Sequence, residues 1–517
     1  MDSAEYIAKL EQQNSALLKQ VESLTRQVEN LTEMIIQMRR DKYGPSSEKT
    51  SSILDDQLSM PQIFNEVELE ADDTPEPAKI TAQGKVRANP NSKREFVLKD
   101  VPVKEVICEG TPESLVCPQC GGPLKAMGTK VVRTELEYIP AQLSVIKYIQ
   151  TSYECPKCKR TDKPYITSAF VPRSLLPHSL ASASSVANVI YQKYVNAVPL
   201  YRQEKDWSSL GIDLKRGTMA NWVIRCSEEY FKPLNQRLRE ELISRDIVHV
   251  DETPFQVLKE PGKKPTSKSY MWVYKTGNDS KKPIVLYDYR KSRSGDNAVE
   301  FLGNFEGYIH SDGYSGYNKL KSVVRCGCWA HLRRKFVEAL PGKDGAIKSN
   351  AQIGVEYCDK LFNVEKILRD MSPEERKEKR LELERPILDE FWDWIENLVV
   401  LPESAIGKAK EYALNQQPYM ENYLLDGRLD ISNNAAENAI RPFTVGRKNW
   451  LFADTVGGAE ASAKVYSIIE TAKANGLNAY NYIEYLLKNM PDSGFQADPE
   501  ILDDFMPWNE TVQTECR

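Results

Sequence analysis

Three acidic residues stand where carboxylates can do metal-assisted chemistry. Asp251 closes the apolar run Asp246-Ile-Val-His-Val-Asp251, Asp312 closes Gly307-Tyr-Ile-His-Ser-Asp312, and each follows a histidine, His249 or His310. Carboxylates buried beside one another must take up protons or share a cation. Oxygen donors of this kind suit Mg2+ or Mn2+. Two such ions held roughly 3.5–4 Å apart stabilise the attacking and leaving oxygens of a phosphoryl displacement. A third acid is supplied by Ile431-Ser-Asn-Asn-Ala-Ala-Glu437-Asn-Ala-Ile-Arg441. On a helix starting at Ser432 or Asn433, residues Asn434, Glu437, Asn438 and Arg441 share one polar face. A solvated helix face would have the same pattern. Arg447, Lys448 and Trp450 then offer cations and an aromatic suited to holding a DNA strand, and Arg333, Arg334 and Lys335 on a basic helix offer phosphate contacts.

A second chemistry lies in Cys117-Pro-Gln-Cys120-Gly-Gly and Cys155-Pro-Lys-Cys158. Each CxxC turn can present two thiolates to one tetrahedral ion, and two turns complete a four-cysteine shell for a structural Zn2+. The competing reading is four reduced cysteines or a redox pair, although a redox CxxC normally occurs once and opens a helix. Cys328 and His331 form a separate CxxH pair. It is either half of a zinc site or packing at the base of the basic helix, and the sequence offers no clear fourth ligand.

These groups need elements to position them. Strand-type runs at 246–251, 270–274, 283–289 and 307–312, with a helix over Asp296–Leu302, predict a mixed sheet with acids at adjacent strand ends. Upstream, Ser185 to Tyr194, a helix opened by Pro199 and a third helix from Lys215-Arg216-Gly217, capped by Thr218, describe a helix-turn-helix-like segment or an ordinary bundle. In the former, Arg216 would face DNA. At the N-terminus, Ile7, Asn14, Val21, Val28 and Ile35 recur every seven residues, each followed three places later by Leu10, Leu17, Leu24, Leu31 or Met38. That heptad, with one polar residue at an a position, predicts a parallel two-stranded coiled coil and hence a homodimer or higher oligomer.

The 517 residues are 41% hydrophobic and 28% charged, an ordinary globular composition spread over several domains. No apolar run is long enough to span a membrane and no signal-peptide core opens the chain, so no membrane partner is expected. Ten cysteines are too few for a disulfide scaffold, and a cytoplasmic, nucleoid-associated setting is expected. The net charge of −5 conceals an uneven distribution. Residues 53–77 carry eight acids and no Lys or Arg, and residues 490–517 carry a net −6; setting both aside leaves the remainder at +9. A basic body keeps DNA open as a partner.

Taken in order, His249-Val-Asp251-Glu-Thr-Pro, His310-Ser-Asp312-Gly-Tyr-Ser-Gly-Tyr, Cys328-Trp-Ala-His331-Leu-Arg-Arg-Lys-Phe and Asn433-Asn-Ala-Ala-Glu437-Asn-Ala-Ile-Arg-Pro-Phe resemble the DDE transposases of the insertion-sequence-66 family. The resemblance spans nearly the whole chain. It implies a multidomain α+β protein: a leucine-zipper coiled coil over 1–42, a flexible acidic linker over 43–94, a small zinc-binding β module over 95–170 and the helical segment over 171–245. An RNase H-like catalytic core follows over 246–341 and 426–490, interrupted by a helical insertion at 342–425, and an acidic tail ends the chain at 491–517. It further implies Asp251, Asp312 and Glu437 as the catalytic, metal-binding triad. The activity implied is binding of the element's terminal inverted repeats, strand cleavage and transfer of the freed end to target DNA, with accessory proteins of the same element as possible partners. Two other classes fit the same motifs: a zinc- and zipper-bearing DNA-binding regulator without catalysis, and a metal-dependent nuclease that cuts without joining.

The heptad makes a direct prediction. Asn14→Val should tighten helix association while relaxing its two-stranded specificity. Sedimentation of the full chain should show larger or mixed oligomers, and an unaltered distribution would count against this register.

Overall fold

The computed structural model describes Asn14, Leu17, Gln20 and residues 143–154, 166–277, 282–340 and 349–517. The expected coiled coil and acidic linker lie outside these residues, apart from Asn14, Leu17 and Gln20, which are helical and exposed; Cys117, Cys120, Cys155 and Cys158 also lie outside them. The chain divides into a unit of residues 47–145, of which only 143–145 are described, and a unit containing the rest. All elements below belong to the latter.

Strands β1 (Ser152–Glu154) and β2 (Ile166–Ser168) pair antiparallel. Helix α1 (Ala183–Tyr194) begins at a reciprocal cap, in which the Ser182 hydroxyl accepts from the Ser185 amide and the Ser185 hydroxyl from the Ser182 amide. Pro199 precedes α2 (Leu200–Ser209), and Gly211 makes the following turn at φ +87°, a backbone region that favours glycine. Helix α3 (Arg216–Cys226) starts before the expected cap. The chain turns at Lys215, and the Thr218 amide already bonds to the Lys215 carbonyl at 2.9 Å, so Thr218 is a first-turn residue. Met219, Trp222, Val223 and Cys226 face the core, while Arg216, Gly217, Thr218, Asn221 and Arg225 are exposed. A π-helical turn, Ser227–Phe231, joins α3 to α4 (Lys232–Ile243).

The central sheet comprises β3 (Ile247–Lys259), β4 (Lys268–Thr276), β5 (Val285–Arg290), β6 (Gly307–His310) and β7 (Val323–Cys326), in the order β5-β4-β3-β6-β7. The first three run antiparallel to their neighbours, whereas β6 is parallel to β3 and β7 to β6. Helix α5 (Asp296–Leu302) makes the crossover from β5 to β6. Ile247-Val-His-Val250, at the start of β3, is buried throughout, as a strand covered on both faces requires. Helix α6 (Trp329–Glu338) follows β7.

Residues 349–425 are helical: α7 (Asn350–Leu368), α8 (Pro373–Leu383), α9 (Arg385–Asn397) and α10 (Ala405–Met420). They form a second hydrophobic core with α6, built on Trp329, Phe336, Phe391 and Ile395. Arg380, fully buried on α8, donates to both Glu365 carboxylate oxygens (2.5 and 2.9 Å) and to the carbonyls of Tyr423, Asp426 and Leu429 (2.9, 3.2 and 2.7 Å). One guanidinium thereby clamps the loop that leads back to the sheet.

The chain returns as α11 (Asn434–Trp450), β8 (Phe452–Thr455), α12 (Val456–Ala474) and α13 (Ala479–Ser493). Strand β8 extends the sheet beside the far end of β3, pairing Gln256 with Phe452 and Lys259 with Thr455. Helix α12 covers the sheet edge: Val285 and Tyr287 of β5 donate their amides to the Thr471 and Ser467 hydroxyls at 3.0 and 2.8 Å. These bonds occupy backbone groups that an edge strand would otherwise leave open.

The last segment, expected as an acidic tail, is packed. Residues Pro499–Phe505 form a 3-10 turn and Glu510–Glu515 form α14, burying Phe495, Leu502, Phe505, Met506, Val512 and Cys516. Apolar residues are interleaved among the acids, and the acids point outward, as where Asp503 pairs with Arg237 at 2.8 Å.

Arg380→Met removes the clamp and leaves Glu365 with only Arg376 as a salt-bridge partner. Breaking one side of a buried pair costs about 3 kcal/mol. Chemical denaturation of the full chain should show that loss, and an unshifted midpoint would contradict the role given to Arg380.

Candidate active site

The sheet register brings the first two acids together. His249 on β3 pairs with His310 on β6 in a parallel ladder, so Asp251 and Asp312 each lie two residues further on; Asp312 follows the end of β6, whereas β3 runs past Asp251 to Lys259 and does not end at the acid as expected. Parallel strands are about 4.8 Å apart and side chains repeat with a period of two, which places the histidines and carboxylates on one face. The two imidazoles stack, with centroids 4.3 Å apart and planes 11° from parallel. His249 Nδ1 lies 3.1 Å from Asn433 Oδ1, and its Nε2 lies 3.4 Å from Asp430.

Asp251 occupies the middle of β3, where residues 250–255 have β4 on one edge and, among the described residues, no strand on the other. Pro254, which has no amide to donate, shares this gap. The Asp251 carboxylate accepts from the Glu252 amide at 2.8 Å. Burial, followed by the charges of Glu252, Asp312 and Glu437, pushes its pKa well above the ordinary range. Asp312, just beyond β6, accepts from the Tyr314 amide at 2.9 Å, and Arg325 holds the Asp312 carbonyl at 2.6 Å.

Glu437 arrives in the first turn of α11, and Asn433 fixes where that helix starts. The Asn433 side chain donates to the Val250 carbonyl at 2.9 Å, and its amide donates to Cys328 Sγ at 3.2 Å. Arg334 Nη2 lies 3.1 Å from one Glu437 oxygen and His331 Nδ1 lies 3.5 Å from the other. Burial alone would lower the His331 pKa, but Cys328 and Glu437 beside it outweigh burial and raise it to about 9. Cys328, His331 and Glu437 present a sulfur, a nitrogen and an oxygen within 4.8 Å of one another.

A fourth acid escapes the sequence reading. Glu252 is 9% exposed, lies 2.6 Å from Arg293 Nε and accepts from the Tyr317 hydroxyl. Burial and the charge of Asp312 raise its pKa to about 6. Arg293 also reaches within 3.7 Å of Asp312, bridging two of the acids. The only sequence signal is adjacency to Asp251; Arg293 and Tyr317 lie 41 and 65 residues away.

The expected DNA contacts separate into different settings. Arg334 reaches the acidic centre, whereas Arg333 pairs with Asp359 at 2.6 Å and Lys335 with Glu338 at 3.4 Å. Arg441 lies one turn beyond Glu437 on α11. Arg447 donates to the Thr253 hydroxyl at 3.0 Å and to the Pro254 carbonyl, and Lys448 is exposed. Trp450 packs edge-on to Tyr194 with Lys193 over its ring at 4.3 Å, so it partly serves the core instead of standing free. Arg216 is exposed at the first position of α3.

Asp251, Asp312 and Glu437 offer only oxygen donors, and the repulsion that raises the Asp251 pKa is what a bound divalent cation would relieve. The donor set therefore fits Mg2+ or Mn2+.

Comparison with known proteins agrees with this organisation. The family model described as "Transposase IS66 family" matches residues 178–461, and "IS66 C-terminal element" matches 467–508, which includes most of the packed terminal segment. The "zinc-finger binding domain of transposase IS66" matches 114–159, a span containing all four CxxC cysteines, and "Transposase C of IS166 homeodomain" matches 30–106. The chain is 28% identical over 512 residues to the uncharacterized protein y4qI of Sinorhizobium fredii (strain NBRC 101917 / NGR234), covering 96% of this chain and 91% of that protein. It is 29% identical over 478 residues to the uncharacterized protein y4jD of the same strain, covering 89% of each. With one family model matching more than half its length and three more matching around it, the chain belongs to the IS66 transposase family.

Proposed function

We propose that this chain binds the terminal inverted repeats of its own mobile element, cleaves a DNA strand at the element's end and joins the freed 3′-hydroxyl to target DNA. The observation that carries this reading is that Asp251 within β3, Asp312 just beyond the parallel β6 and Glu437 in the first turn of α11 are brought near one another, the charges of Asp312 and Glu437 both acting on Asp251. That arrangement also supports reading the core as RNase H-like, with Asp251, Asp312 and Glu437 as its triad. Divalent cations bound there would supply charge neutralisation and an activated water for phosphoryl transfer. The protein's own contribution is positioning: Asn433 and the stacked histidines fix the strand ends, Arg334 orients Glu437, and Arg293 spans Glu252 and Asp312.

DNA would be held by the exposed face of α3, with Arg216 at its start, and by Arg441, Arg447, Lys448 and Trp450 along α11, with Arg333 and Lys335 nearby on α6. The heptads at the N-terminus support pairing of two copies, and the four cysteines at 117, 120, 155 and 158 support a structural Zn2+. Accessory proteins of the same element and a nucleoid location fit this reading.

An in-cell assay tests it: a marked element with its native ends and neighbouring genes, supplied with wild-type protein or with Asp251→Ala, Asp312→Ala or Glu437→Ala. Movement should fall below detection in all three variants, while binding to the ends stays within about threefold, or about 0.7 kcal/mol. Cleaved ends without joining would turn the reading to a nuclease. End binding by the wild type with neither cleavage nor movement would turn it to a DNA-binding regulator.

A further inference from the structure

We propose that Cys328, His331 and Glu437 form a soft-metal site of their own, built to hold Zn2+ beside the acidic centre. The three donor atoms lie within 4.8 Å of one another, although Glu437 is separated from the other two by about a hundred residues of sequence. Zinc bonds of about 2.0–2.3 Å in tetrahedral geometry put neighbouring donors roughly 3.3–3.6 Å apart. His331 Nδ1 and Glu437 Oε1 already stand at 3.5 Å. Both atoms are buried and face each other as an ion pair, yet among the described residues neither makes a hydrogen bond. Such groups are costly to bury unless something completes them.

Cys328 stands at the N-cap of the ten-residue α6, and its sulfur accepts from the Asn433 amide at 3.2 Å. A hydrogen bond to a ligating sulfur is the outer-shell support that metal sites commonly carry. At 1% exposure, the Cys328 thiol is closed to a macromolecular substrate, which argues against a Cys–His nucleophile. Sulfur and imidazole donors select zinc over magnesium, in contrast to the all-oxygen set at Asp251 and Asp312. Three protein ligands leave a fourth position for water or a substrate oxygen, the pattern of an open zinc site. Glu437 has an oxygen for each neighbour: Oε1 faces His331, and Oε2 is held by Arg334. An ion here would therefore fix the orientation of Glu437 at the start of α11.

The site shares Glu437 with the triad proposed above, but its test needs no DNA. Full-length protein is equilibrated with Zn2+, dialysed, and its zinc measured against protein concentration for wild type, Cys328→Ser, His331→Gln and Cys120→Ser. Cys328→Ser and His331→Gln should each lose zinc that Cys120→Ser retains, with His331→Gln melting like wild type. Asp251→Ala and Asp312→Ala should keep it, whereas wild-type protein that holds this zinc yet moves no DNA would contradict the function proposed above and not this site. Wild-type zinc content in His331→Gln and Cys328→Ser would overturn the proposal. Cobalt gives a second measurement that leaves the site intact: Co2+ bound to Cys117→Ser/Cys120→Ser/Cys155→Ser/Cys158→Ser protein should still show a thiolate-to-cobalt absorption band. Absence of that band would also overturn it.

Discussion

Four carboxylates forced into one another's fields are the constraint around which the candidate site is organised. Burial of Asp251 in the central strand, with the charges of Glu252, Asp312 and Glu437 added to it, drives its carboxyl well above the normal range of an aspartate. A cluster of this kind lowers stability in the absence of a counter-ion, because each negative charge makes the next harder to ionise. Arginines offset part of the repulsion at the margins: Arg293 sits on Glu252 and near Asp312, and Arg334 on Glu437.

Holding like charges together demands a rigid frame, and the frame is visible at three levels. The parallel register of β3 and β6 sets the spacing of the two aspartates and stacks His249 on His310 beneath them. Asn433 uses its amide, its side-chain nitrogen and its side-chain oxygen to bind Cys328, Val250 and His249, so the helix bearing Glu437 can start in one place. Farther out, Arg380 secures the loop at 423–429 from within the helical insertion. The insertion thus acts on the site through the segment that enters α11, and it forms its own core with the basic helix α6.

The parts legible in the sequence are those with short-range signals. Apolar runs mark β6 and the start of β3, although β3 continues beyond Asp251 to Lys259; helical spacing places Asn434, Glu437, Asn438 and Arg441 on one face, and Asp296–Leu302 emerges as the expected helix. Contacts between distant segments are not legible. Nothing near Cys328 and His331 in the chain announces Glu437 as a third donor, and nothing near Glu252 announces Arg293 or Tyr317. Two local signals mislead. Thr218 has the chemistry of a helix cap, but the chain has already turned at Lys215. The acid-rich end reads as a tail because net charge masks the interleaved Phe495, Leu502, Phe505, Met506 and Val512 that bury it. Charge density alone does not prevent packing when apolar residues recur at spacings that one helical face can use.

If the carboxylates of Asp251, Asp312 and Glu437 make a divalent-cation site, Mn2+ binding reveals it without DNA or turnover. Titration of the full-length protein, with free Mn2+ followed by its electron paramagnetic resonance signal, would compare wild type with Asp251→Asn and Asp312→Asn. The account predicts a bound Mn2+ population in the wild type that both substitutions abolish while the fold, monitored by melting, persists. Equal Mn2+ binding in all three proteins would contradict it and leave the acids as a structural feature of the sheet.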